Sequence, residues 1–318
     1  MRLVTELRGG SLSQTAVYAD KSKFWVRKKI SINKNREYGL VRWQSQLRKL
    51  QTLTNHLPDN TIPLIGSGVE KDHYFFDIEY IENSDNLIDA LRKGLPPKLV
   101  VSEVTKILKK LSVISYPQVE GSLSVYVNEE LKRPIELALD ANRHNALNLS
   151  NSEKELFNSN LKLAIEFVEN TLERLKFVRV HESLTHGNFT LENAIWDYND
   201  KTVKLIDPYA ETYCETILGD VSQLLQSSSS GYEVISEYFN EGFNDILNYP
   251  YEIIPEYLTE FSFLLKEALK QEVWYDSFLL DVLHASQFSR MLPFKLVNNP
   301  RSGVMFLNHA VQLIRQIK

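Results

Sequence analysis

Between Leu184 and Pro208 the chain reads LTHGNFTLENAIWDYNDKTVKLIDP, and this stretch restricts the fold more than any other. A polar, turn-rich loop from His186 to Asn193 runs into a short apolar strand at 194–196. Asp197-Tyr198-Asn199-Asp200 is a cluster of turn formers, and 203–206 is the returning strand. The expected unit is a loop, a β-hairpin and a second loop. Antiparallel pairing sets Asn193, which enters the hairpin, at the same end as Asp207, which leaves it. An amide oxygen and a carboxylate brought together suit a hard cation such as Mg²⁺, which takes few protein ligands and fills its shell with phosphate oxygens. A surface hairpin with polar turns fits the same letters, so the flanking chain has to decide.

Ahead of this stretch, residues 1–80 read as β-rich with one helix. Segments 15–19 and 24–30 look like strands joined by Asp20-Lys21-Ser22-Lys23. The turn before them contains Gly9, Gly10, Ser11 and Ser13. Such a turn can bring backbone N–H groups close to a phosphate, or it can be a plain connection. In the second strand Lys28 alternates with Val26 and Ile30, so it shares their face and points toward the buried side. A buried ammonium needs an anionic partner, and a phosphate would serve. Arg27 and Lys29 lie on the other face and are the alternatives if the register slips. A charged strand end on a sheet edge is the structural alternative. Leu40, Trp43, Leu47, Leu50, Leu53 and Leu57 have helical spacing over 38–57. Strands at 62–65 and 73–78 follow. Residues 78–84 then cross directly into a region of mostly helical pattern, dividing the chain into 1–80 and 81–318.

Within 81–318 the spacing predicts helices at 85–92, 98–114, 152–177, 221–226, 232–238, 254–273, 279–290 and 305–317, with 133–148 irregular or weakly helical. Ser152 and Glu155 read as a capping box, and Leu161, Ile165, Val168, Leu172 and Leu175 as one apolar stripe. Ser227 to Ser230 reads as a four-serine loop.

A chain of 318 residues is long enough for one large domain or two lobes. Its net charge of −5 argues against broad nucleic-acid binding. Cys214 is the only cysteine, which excludes an intrachain disulfide and a multi-cysteine metal site and fits a cytoplasmic location. No apolar run suits a signal peptide or approaches the ~20 residues of a membrane span. The residue pattern assigns no oligomeric state.

Taken together, a mixed lobe with a glycine turn and a strand lysine, a short crossing, and a helical lobe bearing His186-Gly187-Asn188…Asn193 and Ile206-Asp207 resemble the protein-kinase-like fold. The pattern is most similar to the aminoglycoside phosphotransferase and choline kinase families, whose loop reads HGD-x-x-x-x-N, followed by ID and a GD-containing helix start, here Gly219-Asp220. The wording HGNFTLEN…LIDP…LLQS…SGYE, with Arg290-Met291-Leu292-Pro293 near the C-terminus, resembles a bacterial subgroup associated with capsule and surface-polysaccharide gene clusters. The implied fold class is α+β, a small β-rich lobe with one main helix and a large helical lobe. By this resemblance Lys28 would contact the α/β phosphates of ATP or GTP, Gly9–Ser13 would cover them, and backbone groups of Glu79, Tyr80 and Ile81 would meet the base. Asn193 and Asp207 would hold Mg²⁺, Asp220 would be a structural acid, and His186 would support the loop. Nucleotide and a small-molecule acceptor would be the partners, with Tyr209, Glu211 and Arg290 as candidate acceptor contacts.

Two positions depart from the family. Asn188 stands where the family has the aspartate that accepts or orients the proton of the attacking hydroxyl. An amide cannot accept that proton. The expectations are an impaired phosphotransferase, or a pseudoenzyme that binds nucleotide or a partner without transfer, or another acid, Glu192 or Glu211, standing in. The second departure is that 38–57 holds no acid to pair with Lys28. Glu37 just before it is the nearest candidate, and Gln44 or Gln46 could hydrogen-bond the lysine without neutralising it.

Overall fold

Antiparallel pairing accounts for most of the first 80 residues of the computed structural model, which describes residues 2–7, 13–33, 36–143, 147–175, 178–210, 212–240, 245–247 and 254–317, with backbone alone at 36–38 and 240. Strands β1 (Arg2–Leu7), β2 (Ser13–Asp20) and β3 (Lys23–Ser31) precede helix α1 (Arg36–His56), and β4 (Leu64–Glu70) and β5 (His73–Glu79) follow it. The sheet order is β1-β2-β3-β5-β4. Strand β1 was not expected from the pattern; all six of its residues are exposed, so no apolar alternation marks it. Helix α1 packs on β3 and β5. Leu50, Leu53 and Leu57 are buried there, and the Trp43 indole N–H donates to the Phe75 carbonyl at 3.1 Å.

A second sheet has the order β6-β7-β8, from β6 (Ser84–Asn86), β7 (Ala194–Asp197) and β8 (Thr202–Leu205). The expected helix at 85–92 therefore gives up its start to β6, and only Leu87–Arg92 (α2) is helical. Asn86 causes the switch. Its backbone is extended, while its side chain accepts from the Asp89 N–H and caps α2. The β7–β8 hairpin is tied to the chain ahead of β4 by Asn60 Nδ2 donating to Val203 O at 2.9 Å and Lys204 Nζ to Asp59 O at 2.9 Å.

The described chain divides into two compact units, Met1–Leu95 with His186–Glu211, and Pro96–Thr185 with Thr212–Lys318. The second is helical: α3 (Pro97–Ser112), α4 (Ser122–Val127), α5 (Arg133–Arg143), α6 (Asn151–Leu175), α7 (Ile217–Ser228), α8 (Tyr232–Asn240), α9 (Glu256–Leu269), α10 (Ser277–Ser289), α11 (Leu292–Asn298) and α12 (Pro300–Gln316). Helix α10 packs on α7 and α12, α6 on α12, and α3 on α9.

Two local expectations are corrected here. The capping box of α6 is formed by Ser150 and Glu153, not Ser152 and Glu155. Glu153 N–H donates to Ser150 Oγ at 3.3 Å and Ser150 N–H to Glu153 Oε2 at 2.7 Å. Arg301 Nε fixes the same carboxylate at 2.7 Å, a tertiary contact that favours the earlier of two equivalent Ser-x-x-Glu patterns. The four serines are not a loop of low complexity. Ser227 and Ser228 end α7, and the run is mostly buried because each hydroxyl is used: Ser227 to Glu233 (2.7 Å), Ser228 to Leu224 O (2.8 Å), Ser229 to Leu225 O (3.0 Å) and Ser230 to His284 Nε2 (2.9 Å).

Candidate functional site

The loop before β7 turns sharply at Gly187, whose φ is +78°. A Cβ there would sit 2.1 Å from the Tyr209 carbonyl oxygen. That close approach is closed by the Tyr209 N–H, which donates to His186 O at 3.0 Å. Gly187→Ala is therefore expected to lower stability by about 1–3 kcal/mol through backbone strain, with displacement of Tyr209 in addition. A urea midpoint equal to that of the parent would contradict this geometry.

His186 is fully buried, with its ring edge-on to Phe189 at 5.6 Å. Burial pushes its imidazole down to about 4, Lys49 adds to the depression and Asp207 opposes it. The ring is neutral at neutral pH, which suits packing under the loop better than carrying charge.

Downstream of Gly187 the polar side chains bond one another. Thr190 N–H donates to Asn188 O at 2.9 Å, and a 3₁₀ turn, Leu191–Asn193, delivers the chain to β7. Asn193 Nδ2 donates to Asn188 O at 3.0 Å, and Ile206 N–H to Asn193 O at 3.0 Å. Asn188 Nδ2 donates to the backbone carbonyl of Asp207 at 3.1 Å. Asp207 itself is left-handed, φ +54°, which turns the chain out of β8. Asn188, Asn193 and Asp207 are thus locked together at one end of the hairpin.

Lys28 joins them. It is 9% exposed on β3, opposite Thr15 of β2 and Phe76 of β5, and its Nζ forms an ion pair with Asp207 Oδ1. The same oxygen accepts from Gln46 Nε2 of α1 at 2.9 Å. The partner of Lys28 is therefore an acid on the hairpin. Gln46 bonds that acid and not the lysine, because both donors converge on one oxygen. Glu37 falls in the first turn of α1, and its side chain lies outside the described residues. Arg27, on the opposite face of β3, is held by Asp77 (Nε–Oδ1 2.6 Å, Nη2–Oδ2 2.7 Å) and by Glu70 at 2.9 Å. Its guanidinium also stacks over Phe75 at 4.1 Å.

The other expected site residues fall elsewhere. Gly9, Gly10 and Ser11 lie outside the described residues, as does Glu211. Ser13 begins β2, paired with Ile30, two positions from the Thr15–Lys28 pair. Glu79, Tyr80 and Ile81 line a cleft of about 1190 Å³ whose walls also include Phe24, Trp25 and the β7–β8 turn, but not Lys28 or Asp207. Glu192 is exposed on the 3₁₀ turn. Asp220 is buried in the first turn of α7, in the second unit, where the helix dipole favours a negative charge.

Sequence reasoning did not anticipate Lys49, and it offered Gln46 only as an alternative partner of Lys28, whereas Gln46 Nε2 bonds Asp207. Both are buried on the inner side of α1, three residues apart and in step with Leu50 and Leu53. Two polar residues on the buried side of an otherwise apolar helix were the available signal.

Among the described residues, no group of three or more His, Cys, Asp or Glu could hold a metal ion. Asn193 and Asp207 offer an amide and a carboxylate oxygen, a donor set that fits Mg²⁺ shared with phosphates and not a dedicated protein cage.

No protein-family model matches the sequence, and no curated protein does. Solved structures do match. A Haemophilus somnus 129PT protein assigned to the fructosamine-3-kinases has a TM-score of 0.59 at 15% identity, over 99% of this chain and 92% of that one. The ADP-bound aminoglycoside phosphotransferase APH(2'')-Ib gives 0.57 at 13% identity, over 99% and 94%. A glucosamine kinase in complex with glucosamine, ADP and inorganic phosphate gives 0.52 at 12%, over 98% and 91%. At such identities the likeness is one of fold: the chain has the protein-kinase-like two-lobe fold.

Proposed function

We propose that this chain is an ATP- and Mg²⁺-dependent small-molecule phosphotransferase acting on a hydroxyl of a sugar, amino sugar or polyol. The observation that carries the reading is the meeting of Lys28, Gln46 and Asp207 beside Asn188 and Asn193. It joins a sheet cation to the one hairpin end that presents hard oxygen ligands. The solved structures of like fold, which include an ADP-bound phosphotransferase and a glucosamine kinase with glucosamine and ADP, support the substrate class.

In this reading residues 1–80 form the nucleotide lobe, and 81–318 carry the loop and the acceptor pocket. Lys28 takes phosphate oxygens, the Gly9–Ser13 turn covers them, and Glu79, Tyr80 and Ile81 meet the base. Asn193 and Asp207 would hold Mg²⁺, which supplies charge neutralisation between the phosphates when bound. His186 supports the loop, and Asp220 is a structural acid of its own helix. Phosphoryl transfer is mostly positioning and charge stabilisation, so the loop can retain some turnover with an amide at Asn188. The proposed setting is capsule or surface-polysaccharide metabolism in the cytoplasm, on the wording of the loop and of Arg290-Met291-Leu292-Pro293.

The test is thermal stabilisation by ATP with and without Mg²⁺, followed by ADP release across a panel of hexoses, amino sugars and polyols. The expected result is a rise in Tm with Mg²⁺ and ATP, and ADP release that depends on one acceptor class. No stabilisation under any condition would reject the nucleotide site. Stabilisation without acceptor-dependent release would leave a nucleotide-binding pseudoenzyme.

A further inference from the structure

The cleft of about 1190 Å³ excludes Val26, Lys28 and Asp207. Trp25 pairs with Glu79 and Arg27 with Asp77, one step out of phase with the Lys28–Phe76 pair. The side chains of Trp25, Asp77 and Glu79, all lining the cleft, are therefore on the sheet face opposite Lys28. Every lining residue belongs to the first compact unit. Six carboxylates and three lysines line the cleft, a balance that disfavours a phosphate there. Glu79 and Glu82 are exposed and have no cationic partner among the described residues. Asp197, at the end of β7, is only 6% exposed. Its Oδ1 accepts from the N–H groups of Asn199 at 2.9 Å and Asp200 at 3.3 Å. Its Oδ2 accepts no hydrogen bond among the described residues. Lys204 of the same hairpin is held by Asp59 O at 2.9 Å and Asp200 at 3.3 Å. The turn needs one oxygen, which an asparagine would supply without burying a charge. The buried charge of Asp197 points to a cationic ligand in the cleft it lines.

We propose that this cleft binds a small aliphatic polyamine, held by Glu79, Glu82 and Asp197 against the Tyr80 ring. The inference goes beyond the phosphotransferase reading and does not rest on it. That reading uses backbone groups of residues 79–81 toward a nucleotide, whereas this one uses side chains. The spacing of the acids favours a polyamine over a metal ion. Among the described residues no three acids are grouped so as to hold a metal ion, so three carboxylates around one cleft suit a ligand whose charges are spread along a chain. Tyr80, 38% exposed, adds an aromatic face beside Phe24, ring centroids 6.1 Å apart, and ammonium groups are attracted to such faces. Pro63 and Ile65 in the same walls offer apolar surface to the methylene segments. The site is preformed. Tyr198 N–H donates to Asn83 O at 3.2 Å and Asn83 Nδ2 to Asn199 Oδ1 at 3.1 Å, which ties the segment bearing Glu82 to the turn bearing Asp197.

The test is calorimetric titration of the full chain with spermidine as probe. The parent is expected to bind it saturably. The double variant Glu79→Gln, Glu82→Gln changes two exposed side chains and is expected to weaken binding at least about tenfold, the scale of a hydrogen bond to a charged group. Asp197→Asn keeps an oxygen for the two turn N–H groups and is expected to weaken binding about tenfold as well. Tyr80→Leu is expected to weaken it about threefold, the scale of a cation–π contact at a part-exposed site. A control double variant, Glu155→Gln with Glu169→Gln, removes the same charge from exposed positions of α6 in the other unit and is expected to leave the affinity within about twofold. Absence of saturable binding by the parent would overturn the proposal. So would equal weakening by the cleft and α6 double variants, which would mean diffuse attraction to an acidic protein. Parent-like affinity in the folded Glu79→Gln, Glu82→Gln variant would overturn it too.

Discussion

Asn188→Asp is expected to raise phosphoryl transfer by on the order of 10²–10⁴, the usual contribution of a positioned general base. In the proposed phosphotransferase reading, the loop geometry accounts for the lower rate expected of the parent. Asn188 Nδ2 donates to the Asp207 carbonyl at 3.1 Å, so the side chain is spent on holding the loop to the segment that follows β8. An aspartate cannot donate that bond. Its carboxylate would face a carbonyl oxygen and is expected to turn away from it, toward the space where an acceptor hydroxyl would lie. The variant should therefore gain rate and lose about 1 kcal/mol of stability, the net value of an ordinary hydrogen bond. The opposing signs make the experiment informative. A substitution that lowers Tm while raising turnover does not act through better folding. The measurement is steady-state ADP release with the preferred acceptor, alongside a urea titration. A folded Asn188→Asp variant that binds nucleotide but turns over no faster would reject a latent transferase and favour the binding-only reading.

The apposition of Asn193 and Asp207 was legible in the sequence because it follows from a local rule. Two strands joined by a short turn return to the same end, and the Ile206 N–H to Asn193 O bond at 3.0 Å is the last rung of that ladder. The two-part division into β-rich and helical segments was legible for a similar reason, since periodicities of two and 3.6 are local signals. The ion pair of Lys28 with Asp207 was not. Those residues are 179 positions apart, and any acid facing the inner side of β3 would have served equally well on pattern alone. Gln46 was visible only as a fallback, because a polar residue on the buried side of a helix does not announce which buried group it serves. Strand β1 was missed because exposed edge strands need no apolar alternation. The capping box was displaced by two residues because Ser150 and Ser152 offer the same spacing to a glutamate. Arg301, far along the chain, decides between them. Apart from β1, each failure concerns a long-range contact acting on a sequence that is locally ambiguous.

The protein is expected to lose stability steeply as pH falls below about 6.5, because three buried histidines stay neutral in the fold. Burial pushes His186 down to about 4, His284 to about 3 and His309 to about 4. His284 is further held down by Lys266 and His309, and the Ser230 hydroxyl sits 2.9 Å from its Nε2. His309 packs against Phe288, ring centroids 4.7 Å apart. In the unfolded chain each of these rings would take a proton near pH 6.5. Between that value and the folded values the unfolded state binds more protons, so stability falls as pH falls, and it is fully present only above about 6.5. Each histidine contributes a slope of up to about 1.4 kcal/mol per pH unit, so three together approach about 4 kcal/mol per unit. By about pH 4 the loss approaches about 10 kcal/mol, which is comparable with a typical total of about 5–15 kcal/mol. Glu130 and Asp281, whose carboxyls burial pushes up, act in the opposite direction. Their effect sets in above the ordinary carboxyl range and subtracts from the histidine slope there, so the profile from pH 6.5 to 5 reads the net of the two. Urea titrations at half-unit steps across that window give the slope directly. His309→Gln, which removes one of the three groups, is expected to reduce the slope by about one third even if it lowers the stability at pH 7. A flat stability profile between pH 7 and 5 would mean that these rings are not buried neutral, and the packing of α7, α10 and α12 around His284 and His309 would have to be drawn differently.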